Sequence, residues 1–162
     1  MDIREIRAGE HAEAGEVTVA GYRAFYREGL GDYAVHLRDV AARAAGAVVL
    51  VAVEHGRLVG TVTYVPGPES PFAELVREGE AAIRMLAVHP DAQGRGVGRA
   101  LSEACITRAR AAGRRAVALH ADEVMATSRR LYERLGFVRD PARDWVAEDG
   151  TRLLGYVLDL ER

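Results

Sequence analysis

The stretch Ile83-Arg84-Met85-Leu86-Ala87-Val88-His89-Pro90-Asp91-Ala92-Gln93-Gly94-Arg95-Gly96-Val97-Gly98-Arg99-Ala100-Leu101, "IRMLAVHPDAQGRGVGRAL", decides how the rest of the chain is read. Its opening belongs to a mostly apolar run, Glu80 to Val88, that suits a central strand. His89-Pro90 stops the strand, because proline has no N–H for a sheet ladder. From Arg95 to Ala112, Val97, Leu101, Ala104, Cys105 and Ala109 form one helical stripe, and Gly113 ends it. Gly94, Gly96 and Gly98 sit where this helix begins, although a glycine inside a helix costs about 1 kcal/mol relative to alanine. The first turn of a helix leaves about four N–H groups unpaired and carries roughly half a positive charge. A docked diphosphate satisfies both, and close main-chain approach requires that side chains be absent. Arg95 and Arg99 add charge-assisted contacts to such an anion. The plainer alternative is a glycine-rich βα turn with no ligand.

Two nucleotide motifs do not fit. No Gly-Lys-Ser/Thr follows the glycines, so a Walker-type loop fails. A dinucleotide fingerprint opens a first βα unit with an acidic residue about 20 positions later, whereas this turn comes after four predicted strands. The spacing present is Gln-x-x-Gly-x-Gly, at Gln93, Gly96 and Gly98.

Outward from this turn the chain alternates. Ile3 to Arg7 reads as a first strand, Glu10 to Tyr26 as a helix, and the residues after Asp32 up to Gly46 as a second helix. "AVVLVAVEHGRLVGTVTYV" reads as a hairpin turned at His55-Gly56. Residues 66–79 hold three of the five prolines and form the longest loop. Beyond the glycine turn follow a strand from Arg115 to His120, a helix from Val124 to Leu135 closed by Gly136, and two strands, Phe137 onward and Thr151 to Leu160. Strand–helix alternation in the second half implies a central parallel pair in a mixed α/β sheet.

The 162 residues suit one domain, spanning 1–162, and a net charge of −2 gives no support for nucleic-acid or membrane binding. All 22 Lys+Arg residues are arginine. The lone Cys105 lies on a helix face and reads as a buried, inert thiol, too little for a metal cluster. "MDIREIRAGEH" has no apolar signal core, and no apolar run reaches the roughly 20 residues of a membrane span. A cytoplasmic protein is expected.

With these residues in view, the sequence resembles the GNAT family, the GCN5-related N-acetyltransferases. The family's pyrophosphate motif, Gln/Arg-x-x-Gly-x-Gly/Ala after a strand ending Leu-x-Val-x-Pro, is matched by "LAVHPDAQGRGVG". A second family signature, Leu-Tyr-x-x-x-Gly-Phe, is matched by "LYERLGF", Leu131 to Phe137. The resemblance implies the family's mixed sheet of six to seven strands with about four helices and a splayed central parallel pair, here Ile83–Val88 and Arg115–His120. It implies acetyl-CoA as co-substrate, without a metal. The backbone of Leu86, Ala87 and Val88 would bond the pantetheine arm. Gln93, Gly94, Arg95, Gly96, Val97, Gly98 and Arg99 would hold the pyrophosphate. Met125, Ser128 and Tyr132, three and four apart on one helical face, would form the opposite wall.

Tyr132 becomes the candidate general acid for the departing thiolate; met alone, it reads as a tyrosine packing on Leu135 and Phe137. An alkyl ammonium is deprotonated in only about one part in a thousand at pH 7, so a base or a water chain must take its proton. Several family members place a glutamate where this chain has Ala82. Glu80, two residues earlier and on the same strand face, and His120, at the end of the neighbouring strand, are the two candidates. Met125 replaces a common asparagine. The implied activity is transfer to a primary amine of a small molecule or peptide. A non-catalytic acyl-CoA-binding module, an O-acyltransferase and a longer-chain acyltransferase stay open. Glu69, Glu74, Glu78 and Glu80 suggest a negative mouth that attracts a cation. Tyr22, Phe25, Tyr26, Tyr33 and Trp145 are candidates to line the acceptor side, and pairing of the final strands leaves a homodimer open.

Overall fold

The computed structural model describes residues 1–26 and 28–161. Eight strands form one mixed sheet: β1 (Asp2–Glu5), β2 (Val48–Glu54), β3 (Arg57–Val65), β4 (Glu80–Val88), β5 (Ala116–Asp122), β6 (Val138–Arg139), β7 (Trp145–Val146) and β8 (Arg152–Asp159). The order is β1-β2-β3-β4-β5-β8-β6, with β7 also on β8. Among the described residues five α-helices accompany it: α1 (His11–Arg23), α2 (Tyr33–Arg38), α3 (Val40–Gly46), α4 (Val97–Ala111) and α5 (Ala126–Arg134). The mixed α/β architecture and the single parallel pair agree with the sequence reading. The element counts exceed it, for local reasons. The helix expected after Asp32 is broken at Asp39, whose backbone leaves the helical region (φ −79°, ψ 61°) and whose carboxylate accepts from the Ala42 amide at 3.2 Å. Asp39 therefore caps α3, as short polar side chains do. Near the C-terminus, a 3₁₀ turn at Pro141–Arg143 divides the expected penultimate strand into two-residue pieces, β6 and β7.

The core explains why the hairpin strands are apolar. Leu50, Ala52, Val62 and Tyr64 of β2 and β3 face Val97, Leu101, Cys105 and Ala109 of α4. On the opposite face, Val49, Val51 and Leu58 meet Ala14 and Val17 of α1 and Val40 of α3. Cys105 is fully buried, and burial pushes its thiol up to about 12.

The feature that positions the site is a divergence within the sheet. β4 pairs with β5 only at Glu80↔Ala116, Ala81↔Val117 and Ala82↔Ala118. Its pairing with β3 skips a residue between Thr63↔Arg84 and Thr61↔Ala87, so Met85 and Leu86 together oppose Val62. Met85 takes the left-handed conformation, φ 51°. Such a bulge bends its strand and increases local twist. β5 meanwhile stays paired with β8 from Ala116 to Asp122. Beyond Ala82 the two central strands part and a wedge opens.

Candidate active site

The wedge is the mouth of a cleft of about 490 Å³. Ala82 to Leu86 form one wall and Ala118 to Asp122 the other, with Met125, Ser128 and Tyr132 of α5 beside them. Tyr22, Tyr26, Leu30 and Tyr33 cover it from the α1–α2 side, and Trp145, Ala147, Asp149, Thr151 and Leu153 from the β7–β8 hairpin.

Tyr132 lies between two environments. Its ring packs edge-on against Phe137 at 5.7 Å between centroids, and the residue also lines the cleft. Burial pushes its phenol above the ordinary tyrosine value, so the proton is retained at neutral pH. One side chain thus packs against Phe137 and faces the cleft.

His120 lines the cleft from β5, and its Nε2 lies 2.8 Å from the main-chain oxygen of Arg143. A carbonyl can only accept, so this contact requires the ring proton on Nε2 and leaves Nδ1 as the acceptor nitrogen.

Glu80 is elsewhere. It is 1% exposed and does not line the cleft. Its two oxygens accept from Nη1 and Nη2 of Arg143 at 3.0 and 2.5 Å, and Oε1 also accepts from the Arg77 amide at 3.0 Å. Burial alone would raise the carboxyl pKa, but the hydrogen bonds from Arg143 and Arg77 outweigh it and hold the group below its ordinary value. The face-sharing argument from Ala82 leads to a carboxylate already committed to a guanidinium.

The predicted anion cradle is divided in two. Gly94 and Gly96 have φ 79° and 82°, a region costly for side chains, and an added Cβ at either would meet open space. Gly96 precedes α4, whose ladder begins with the Ala100 amide donating to the Gly96 carbonyl. The amides of Val97, Gly98 and Arg99 are left without intrahelical partners. Gly98 alone lies within the helix, and its missing side chain faces protein: a Cβ there would lie 3.3 Å from Leu131 of α5. Its absent side chain therefore serves α4–α5 packing. Gln93 Nε2 donates to the Val88 carbonyl at 3.3 Å. Arg95 pairs with Glu54 at 3.0 Å and Arg99 with Glu103 at 2.7 Å, both near the turn. Of the pantetheine candidates, Leu86 lines the cleft, whereas Ala87 packs with Val19, Tyr22 and Leu37. An open glycine turn, free first-turn amides and a wedge between two unpaired strand edges suit an elongated ligand with a diphosphate.

The acidic lining differs from the expected one. Glu74 reaches the cleft, but Glu69 lies 4.0 Å from Arg114. Asp122 and Asp149 join Glu74 instead. Asp122 accepts from the Tyr26 hydroxyl and from the Val124 amide. Burial and this hydrogen bond push the Tyr26 phenol up. Tyr22, Tyr26, Tyr33 and Trp145 do line the cleft, while Phe25 packs in the core. Asp122 was legible in principle: it follows His120 by two residues and shares its strand face, had the strand been extended past His120.

Comparison with known proteins agrees with this geometry. The profile of the acetyltransferase (GNAT) family matches residues 15–137. Mycothiol acetyltransferase of Geodermatophilus obscurus is 38% identical over 86 residues, 51% of this chain and 26% of that protein, so the chain spans about a quarter of that relative. A GNAT-family crystal structure from Desulfovibrio desulfuricans superposes with a TM-score of 0.76 at 23% identity, covering 98% of each chain. A GNAT acetyltransferase from Brucella melitensis, solved with acetyl-CoA, gives 0.65 at 25% identity over 98% of this chain and 87% of its own. The splayed β4–β5 pair, the glycine turn before α4 and the profile match across most of the sequence have one explanation: the chain belongs to the acetyltransferase (GNAT) family.

Proposed function

We propose that the protein is an acetyl-CoA-dependent N-acetyltransferase acting on a primary amine of a small molecule or peptide, by direct attack within a ternary complex. The observation that carries this reading is the wedge between β4 and β5, where His120 and Tyr132 line one cleft. Acetyl-CoA, when bound, supplies an electrophilic thioester carbonyl and a sulfur leaving group. The bare edge of β4 from Ile83 onward orients the pantetheine arm, and the Gly94–Arg99 turn holds the diphosphate on main-chain amides. Nδ1 of His120 takes the ammonium proton, directly or through one water. Tyr132 Oη holds the proton that a leaving thiolate needs, and its burial keeps that proton in place. Glu74, Asp122 and Asp149 favour a cationic acceptor at the mouth. The relative from Geodermatophilus obscurus, named as an acetyltransferase, supports the transfer chemistry.

The test is an acceptor screen that follows free CoA by thiol release, beside thermal shift with acetyl-CoA. Stabilisation together with amine-dependent thiol release is the expected result. Stabilisation without release across a broad amine panel would favour a binding module, and no stabilisation at millimolar acetyl-CoA would sink the cofactor assignment.

A further inference from the structure

Arg143 does two things at once. Its guanidinium is buried, bonded to both oxygens of Glu80 and, through Nε, to Asp140 at 3.2 Å. Its own carbonyl meets Nε2 of His120 at 2.8 Å. The 3₁₀ turn carrying it is seated on β8 at Gly155, the residue paired with His120 across the sheet. The Gly155 carbonyl accepts from the Asp140 amide and its amide donates to Asp144, both close to 2.9 and 2.8 Å respectively. No larger residue fits there: a Cβ on Gly155 would lie 2.6 Å from Arg143 Cβ and 2.9 Å from the Asp140 oxygen.

A buried ion pair is by itself weak evidence for stability, because desolvation offsets much of the attraction. Here the pair ends on a main-chain oxygen aimed at the His120 imidazole in the cleft. Which nitrogen of a histidine carries the proton is set by the bond the other makes. We infer that the Glu80–Arg143 ion pair is a positioning device: it holds the Arg143 carbonyl against Nε2 of His120 and fixes the tautomer in which Nδ1 accepts a proton. Glu80 thereby acts on the reaction through His120 without touching a substrate. The inference rests on the reading of His120 as the base, and its test separates the two.

The measurement is the ¹⁵N spectrum of histidine-labelled full-length protein without substrate at about pH 8, above the ordinary histidine range. His120→Asn assigns the resonances by their loss. Wild-type His120 is expected as the Nε2–H tautomer. Two variants perturb the device from different sides: Glu80→Gln removes the carboxylate charge that faces Arg143, and Gly155→Ala pushes the turn off β8 without altering any charge. Both should bring in the Nδ1–H tautomer and lower kcat by about tenfold or more, with the KM for acetyl-CoA little changed. A wild-type Nδ1–H tautomer, or wild-type tautomer populations in folded variants, would overturn the inference. Should Glu80→Gln fail to fold, Gly155→Ala and the wild-type spectrum still decide it. Full turnover by His120→Asn would remove the base assignment, while the tautomer populations judge the positioning claim separately.

Discussion

The two ends of the β4–β5 pair differ in how they treat their polar groups. At the N-terminal end of β4 the strands are flush for three residue pairs, and the charges there are closed on each other, Glu80 on Arg143 with Arg77 adding an amide. At the C-terminal end the strands diverge past the Met85 bulge, and the groups face a cleft: His120 and Asp122 on β5, Tyr132 on α5. Two carboxylates of comparable burial, Glu80 at 1% and Asp122 at 8% exposed, fall on opposite sides of that divide. Burial does not separate a structural carboxylate from one at a site. The direction the strand takes beyond it does.

The largest expected effect breaks the closed end. Glu80→Ala leaves the buried Arg143 guanidinium with Asp140 as its remaining carboxylate, and loss of one partner from a buried pair costs about 3–5 kcal/mol, read as a lower urea midpoint. The same pair sets a pH dependence. The Glu80 carboxyl is held below its ordinary value in the folded chain, so its stabilisation is full above the unfolded value and is lost as pH falls through the lowered folded one. Glu10, hydrogen-bonded by Arg4 and brought down to about 2, adds to the same acid limb. Midpoints measured from pH 5 down to pH 2 should decline, and less steeply in Glu80→Gln; an unchanged slope would break the assignment of the closed end.

A step smaller, Tyr132→Phe probes the open end. Loss of a general acid should lower turnover by about 100-fold, while acetyl-CoA affinity by calorimetry stays near wild type. Unaltered turnover would return Tyr132 to a packing role against Phe137.

The smallest effect sharpens the contrast within the glycine turn. Gly96→Ala forces a side chain to φ 82°, a cost of about 1–2 kcal/mol, with weaker acetyl-CoA binding. Gly98→Ala gains about 1 kcal/mol of helix propensity but presses on Leu131 at 3.3 Å, so thermal unfolding should show little net change. Equal losses at both positions would mean that the two glycines do the same job.

Much of this molecule was legible without coordinates, and the legible parts share a cause. The strand before His89-Pro90, the glycine turn and the helical stripe of α4 are written in adjacent residues, because main-chain conformation and helix periodicity are local properties. The same holds for Leu131 to Phe137 and for β2–β3 with its turn at His55-Gly56. What escaped was set at long range or by a local cap. Asp39 divides the second helix through a cap geometry that competes with a continuous apolar pattern. Glu80 and Arg143 are 63 positions apart in sequence, and no periodicity predicts that they meet. Asp149 joins Asp122 in the lining only because β8 pairs along β5 and brings the β7–β8 connection to the same cleft.

The sequence by itself determined the order of strands and helices, the glycine turn before α4 and the family to which the chain belongs, because those rest on local backbone preference and short motifs. Only the tertiary structure decided which carboxylate is tied up, which nitrogen of His120 holds its proton and which glycine faces open space, because a side chain's chemistry is set by the partner that the fold brings to it.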